Sequence, residues 1–469
     1  MVPPMRYIST RGAAAPRDFA GVLLAGLAED GGLFMPETWP HWSPADLRSL
    51  RGLPYHALAA RVIAPFLGDS IPFAALEAMC REAYAGFSHP AVVPLVQLDT
   101  NLWAQELFHG PTLAFKDVAM QLLGRMFTHV LQARAQRVTI VVATSGDTGS
   151  AAIEACRDRA GIDVVILHPA GRTSAVQRRQ MTTVRAPNIA NIAVEGTFDD
   201  CQDLVKAMFA DEPFRRDMHL SAVNSINWAR IAAQIPYYFA AALALGAPDR
   251  EVAFSVPTGN FGNVLAAWAA RRMGLPVARL VVGSNRNDIL ARFFDSNDMT
   301  MAPVEPSLSP SMDIQVSSNF ERLLFEMLDR DPAATARTMA GFRSTGRMEV
   351  PPAPWARART LFHGFRLDDA GTMAEITRLH GQGYLADPHT AIGIAAARAH
   401  PCPHVPMVAA ATAHPAKFPD AMLRATGLHP ALPLRLADLF DRPEIFTTAP
   451  NSLDAVEAQV RAFSLRNAA

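Results

Sequence analysis

The chain of 469 residues is half apolar and 19% charged, with a formal net charge of −1 at pH 7. That balance belongs to a globular protein too long for one simple core, and it excludes a strongly basic face for nucleic acid or an anionic membrane. The four cysteines, Cys80, Cys156, Cys201 and Cys402, form no CxxC pair. They imply neither a zinc site nor a disulfide framework, and fit a reducing, cytoplasmic compartment.

From about residue 17 to 90, short apolar stripes recur between Pro36, Pro54 and Pro72, which predicts an N-terminal helical domain over 1–95. The apolar stretch 19–28 follows Arg6, Arg11 and Arg17 and weakly imitates an export signal. Asp18 abuts it, however, and Glu29-Asp30-Gly31-Gly32 reads as a helix stop and turn. Beyond residue 95, apolar runs alternate with helix-like stretches. Strands are expected over 138–142, 164–167, 251–256, 280–282 and 407–411, with a helix over 150–159 after the first. Such strands, lacking polar alternation and separated by helices, indicate parallel βαβ units and an α/β fold. The apolar segment 231–247 is interrupted by Gln234 and Pro236 and is too short to span a bilayer. Proline-rich stretches at 303–310 and 351–354 read as connections.

Only three of the 43 basic side chains are lysine: Lys116, Lys206 and Lys417. Arginine solvates or pairs as well as lysine does, but only lysine readily loses its proton and attacks a carbonyl. Lys116 stands in Pro111-Thr112-Leu113-Ala114-Phe115-Lys116-Asp117, at the entrance of a helix and among apolar neighbours that lower an amine pKa. Lys206 reads as a solvated residue on an amphipathic helix. Lys417 follows a buried strand and competes with Lys116 for a chemical role.

Two strand-turn-helix junctions are rich in small residues. Ser255-Val256-Pro257-Thr258-Gly259-Asn260-Phe261-Gly262-Asn263 runs into a helix over 264–272, and Ala143-Thr144-Ser145-Gly146-Asp147-Thr148-Gly149-Ser150 into the helix over 150–159. Each fits an anion held on a helix N-terminus and equally an ordinary βα turn, with Thr148 or Ser150 as the cap of the second. The absence of GxGxxG and of a terminal Gly-Lys-Ser/Thr disfavours dinucleotides and ATP.

Further motifs are Asp30-Gly31-Gly32-Leu33-Phe34-Met35-Pro36, Asn224-Ser225-Ile226-Asn227-Trp228-Ala229-Arg230, Ser318-Asn319-Phe320-Glu321-Arg322, Asp387-Pro388-His389-Thr390-Ala391 and Ala411-Thr412-Ala413-His414-Pro415-Ala416-Lys417-Phe418. In this order, with the Lys116 turn, the chain resembles the threonine synthases of the longer subgroup, within the fold-type II pyridoxal-phosphate enzymes. The resemblance implies two open, mostly parallel-sheet lobes flanked by helices, similar to the tryptophan synthase β fold. They would occupy 96–469, the smaller lobe roughly 125–215. It also implies the family activity, conversion of O-phospho-L-homoserine and water to L-threonine and phosphate, with pyridoxal 5′-phosphate as cofactor and no metal.

By the same resemblance Lys116 would carry the cofactor as a Schiff base and act as the base. Gly259, Asn260, Phe261, Gly262 and Asn263 would hold the cofactor phosphate, and Thr412 would set its hydroxyl against the pyridine nitrogen. The substrate carboxylate is expected at Ser145, Gly146, Thr148 and Gly149, and the substrate phosphate at Asn224, Ser225 and Arg230. Asp147 is given no cofactor contact, because a carboxylate would repel the cofactor's phenolate. His109, His389 and His414 fit acid–base or structural roles alike. The rival expectations are a serine/threonine dehydratase-like lyase, which needs no site for a distal phosphate, and a non-catalytic binder of phosphorylated ligands.

Overall fold

Ile162–Pro169, Val252–Pro257 and Met407–Ala411 are buried along their whole length, as expected of strands covered by helices on both faces. In this computed structural model, which describes residues 5–468, they belong to two mostly parallel sheets. The larger has the order Phe362–Arg366, Val277–Ser284, Val252–Pro257, Met407–Ala411, Leu102–Glu106, Leu95–Asp99. Every pairing in it is parallel except that of Leu95–Asp99 with Leu102–Glu106. The smaller is parallel throughout, with the order Thr447–Pro450, Ile189–Glu195, Ile162–Pro169, Val138–Ala143, Leu220–Ser221. The α/β architecture of two helix-flanked lobes is therefore present. The range 125–215 stops short of two strands of the smaller sheet, because the chain returns from Met407–Ala411 to supply Thr447–Pro450.

Residues 5–90 hold four helices, Phe19–Ala25, Pro44–Ser49, Tyr55–Leu67 and Phe73–Tyr84. They also hold an antiparallel pair, Tyr7–Ser9 with Phe34–Pro36, too short for periodicity to reveal. The Tyr7 hydroxyl donates to the Phe66 carbonyl at 2.7 Å. Trp39 and Phe66 meet the fully buried Trp228 edge-on at 5.8 and 5.7 Å, so this unit packs directly behind the helix Trp228–Ala232. Residues 351–354, read as a connection, instead open the helix Pro352–Arg359, since proline is compatible with a first helical turn. No helix among the described residues is long and apolar enough to cross a membrane.

Four chain segments converge at the carboxyl ends of strands, where open α/β sheets bind ligands. The helix Lys116–Arg134 starts after Leu102–Glu106, Asp147–Cys156 after Val138–Ala143, Gly262–Arg272 after Val252–Pro257, and Thr412 follows Met407–Ala411. The first two helices touch at Gly124, where a Cβ would stand 2.2 Å from the Ala155 carbonyl oxygen.

Candidate active site

The Lys116 turn is built from its own residues. The Asp117 carboxylate accepts from the Thr112 amide at 2.8 Å and the Thr112 hydroxyl at 2.7 Å. Burial pushes that carboxyl up to about 6. Leu113 has φ of 65°, and Gly110 leaves room for Asp117, whose Cβ a new side chain would strike. The turn is tied to the end of the central strand by Phe115 N–H donating to Thr412 O at 2.8 Å and His414 N–H to Leu113 O at 3.0 Å. Lys116 is thus fixed at the mouth of its helix, 8% exposed. Its Nζ lies 3.1 Å from Asp147 Oδ2 and 5.2 Å from the centre of the Phe115 ring. Burial lowers its pKa, Arg230 and Lys417 push it further down, and only Asp147 opposes.

Asp147, on the first turn of its helix, is the anion of the site. Its Oδ1 accepts from Lys417 Nζ at 2.8 Å and from Gln177 Nε2 at 2.9 Å. Burial alone would raise this carboxyl, but Lys116 and Lys417 overcome it and hold it well below the usual range. The helix is capped by neither Thr148 nor Ser150. Thr144 Oγ1 accepts from Gly146 N–H at 2.9 Å and Gly149 N–H at 3.0 Å, while the Ser150 hydroxyl donates backwards to Gly146 O.

Residues 259–263 form a cradle. Phe261 is left-handed at φ 62°, and the helix Gly262–Arg272 begins without any side-chain cap, leaving its first N–H groups for an anion. Asn263 Oδ1 accepts both the Tyr237 and Tyr238 hydroxyls, while its Nδ2 is buried without a partner among the described residues. The loop is braced from behind by Ser317 Oγ donating to Gly259 O and by Asn319 donating twice to Asn260 O. Arg322 in turn donates to Asn319 Oδ1, Ile226 O and Phe34 O, joining the cradle to the 224–227 loop and the N-terminal unit. The spacing of 318–322 marks these residues, but nothing local in it indicates this bracing.

These parts line one cavity of about 580 Å³ that includes Lys116, Asp147, Thr148, Arg230, residues 259–263 and Thr412, with Asn224 and Ser225 at its edge. Ser145, Gly146 and Gly149 do not line it. Gly146 packs on Gln177 and Gly149 on Thr144 and Met181, where any Cβ would collide. Lys206 is exposed, lines the outer part and pairs with Asp203 at 2.8 Å. His389 lines the cavity with both ring nitrogens engaged, by Asp387 at 2.7 Å and by Ser311 N–H at 3.3 Å. His109 and His414 lie outside it, around a separate hollow with Glu106. Lys417, Gln177 and the two tyrosines complete the site. Of these only Lys417 carries a sequence signal, its rarity.

Arg230 is 4% exposed and donates to Val223 O at 3.2 Å. No carboxylate pairs with it among the described residues, and burial pulls its pKa down to about 10. A buried guanidinium left unpaired is costly unless a ligand supplies the anion. The residues fit pyridoxal phosphate. The 259–263 cradle and the orphaned Asn263 Nδ2 offer donors to a phosphate, and Lys116 offers a desolvated amine to an aldehyde. The Thr412 hydroxyl, bonded to none of the described residues, offers a neutral partner for a ring nitrogen.

Comparison with known proteins agrees. A family model of the threonine synthase N terminus matches residues 6–84, one of pyridoxal-phosphate dependent enzymes matches 89–339, and one of the threonine synthase C-terminal region matches 390–460. Threonine synthase from Pseudomonas aeruginosa is 56% identical over 459 residues, covering 97% of this chain and 98% of that protein. The crystal structure of PLP-bound threonine synthase from Brucella melitensis superposes with a TM-score of 0.96 at 53% identity, covering 98% and 99% of the two chains. That of the yeast threonine synthase gives 0.93 at 35% identity, with coverage of 98% and 99%. Likeness of this depth, running the length of the chain, makes the protein a pyridoxal-phosphate-dependent enzyme of the threonine synthase family.

Proposed function

We propose that the enzyme converts O-phospho-L-homoserine and water to L-threonine and phosphate, in the cytoplasm. The observation that carries the substrate assignment is Arg230, a buried cation beside the Lys116 cavity with no carboxylate of its own among the described residues. Pyridoxal phosphate, when bound, supplies an aldehyde for amines and a conjugated ring that spreads the charge left when a proton leaves carbon. Everything else falls to the protein. Arg230, with Asn224 and Ser225 at the cavity edge, holds the substrate phosphate through charge-assisted hydrogen bonds. Thr148 and the first N–H groups of the helix Asp147–Cys156 orient the carboxylate.

The Lys116 amine is the base. Burial lowers its pKa and so favours the neutral amine, the form that accepts a proton. It removes the proton from Cα and then one from Cβ as phosphate leaves Cγ, returns one to Cγ before the hydroxyl of water adds at Cβ, and returns the last to Cα, with the proton of water replacing the one it has spent. The Thr412 hydroxyl, being neutral, does not force a proton onto the ring nitrogen. Proton traffic is therefore concentrated on Lys116. The engaged nitrogens of His389 leave it a bracing role.

The test is incubation of the purified enzyme with O-phospho-L-homoserine, with threonine and free phosphate both measured. Equal amounts of the two are expected. Release of a 2-oxo acid and ammonia from L-threonine, with no phosphate released from O-phospho-L-homoserine, would instead identify a dehydratase.

A further inference from the structure

Two of the three lysines share one carboxylate. Lys116 Nζ approaches Asp147 Oδ2 at 3.1 Å and Lys417 Nζ approaches Asp147 Oδ1 at 2.8 Å. The sharing is unequal. Lys417 is wholly buried in the turn Pro415–Lys417 and has a second acceptor, Thr112 O, at 2.7 Å. For Lys116, Asp147 is the one hydrogen-bond acceptor among the described residues. Other charges tilt the balance the same way. Arg230 acts on Lys116 and disfavours its positive charge, whereas Asp117, fastened to Thr112, acts on Lys417. Gln177 adds a neutral donor to Asp147. A single buried carboxylate shared by two amines compensates one ammonium well and a second poorly.

We propose that Lys417 is a positioning residue: held between Thr112 O and Asp147, it engages the charge of Asp147 and so leaves Lys116 as the amine that gives its proton up. This builds on the reading of Lys116 as the reactive base. Asp147, bridging the two amines, orients Lys116 without holding it as a permanent ion pair. A lysine suits position 417 because a compact, rotatable ammonium reaches a carbonyl and a carboxylate at once, where a planar guanidinium presents a fixed fork. Without Lys417, Asp147 would face Lys116 alone and stabilise its ammonium.

A chain with three lysines allows a direct test. Side-chain NMR of the full-length protein carrying isotope-labelled lysine, stripped of cofactor, should give three lysine signals. Lys116→Ala assigns one, and the exposed Lys206 serves as control. In the unmutated chain the Lys116 midpoint should lie below the usual lysine range, and a midpoint at or above that range overturns the proposal. In Lys417→Met the midpoint of Lys116 should rise by about one pH unit or more, while Lys417→Arg, which keeps the charge, should leave it low. An unchanged midpoint in Lys417→Met also overturns it. Because these signals are read without cofactor or substrate, failure here is distinct from failure to form threonine.

Discussion

Replacing Arg230 with methionine should do two opposite things. Burial brings the folded guanidinium down to about 10, a cost to the charged form of roughly 3 kcal/mol. The group is a base whose pKa falls on folding. The cost therefore applies in full at neutral pH and fades only as the pH rises past 10. One hydrogen bond, to Val223 O, returns about 1 kcal/mol. Removing the charge should therefore make the ligand-free protein more stable, by about 2 kcal/mol on these figures. Binding should move the other way. Loss of one charge-assisted hydrogen bond to the substrate phosphate, worth about 1.5–3 kcal/mol, raises KM roughly 10- to 150-fold. Thermal melts with and without inorganic phosphate, beside a KM for O-phospho-L-homoserine, read both effects. With the cofactor bound and its phosphate cradle filled, inorganic phosphate should raise the Tm of the unmutated enzyme and not that of the variant. A lower Tm combined with an unchanged KM would refute the assignment, because Arg230 would then be a structural cation.

Gly259→Ala should weaken cofactor binding at least about tenfold. The added Cβ would lie 2.4 Å from the Ser311 carbonyl oxygen, and either the cradle or its brace must move. Titration of the stripped protein with pyridoxal phosphate measures this, and unchanged affinity would mean the loop does not hold the phosphate. His414 governs part of the acid limit. Burial pulls its ring down to about 4, so the folded state keeps it neutral while the unfolded ring protonates near 6.5. Its contribution is present above about 6.5 and lost as the pH falls toward 4. His414→Asn retains an acceptor for Ala416 N–H and should flatten the fall in Tm between pH 6.5 and 4. An equally steep fall would show that other groups dominate.

What could be read from the sequence is what is local. The Lys116 turn is closed by Asp117 on Thr112, five residues apart, and its purpose shows in the residue types themselves. Strands such as Met407–Ala411 declare their double-sided burial by having no polar residue. The rest depends on distant pairing. Asp147 carries no sign that Lys417, 270 residues on, will meet it at 2.8 Å. Nothing in residue type singles out Thr144 as the cap of its turn, because Thr148 and Ser150 are equally able caps. Thr447–Pro450 joins the smaller sheet only because the chain returns there after Met407–Ala411, and no local pattern announces that return. Of Ser145, Gly146, Thr148 and Gly149, Thr148 lines the cavity, while Gly146 and Gly149 pack against Gln177, Thr144 and Met181, neighbours that residue type alone does not show.

The most direct measurement reduces the cofactor-loaded enzyme with borohydride, digests it and locates the pyridoxyl group by mass spectrometry. With three lysines in the chain the outcome is unambiguous. A single adduct on Lys116, with the visible band lost in Lys116→Ala, is expected. An adduct on Lys417, or none on any lysine, would contradict the chemistry assigned to this cavity.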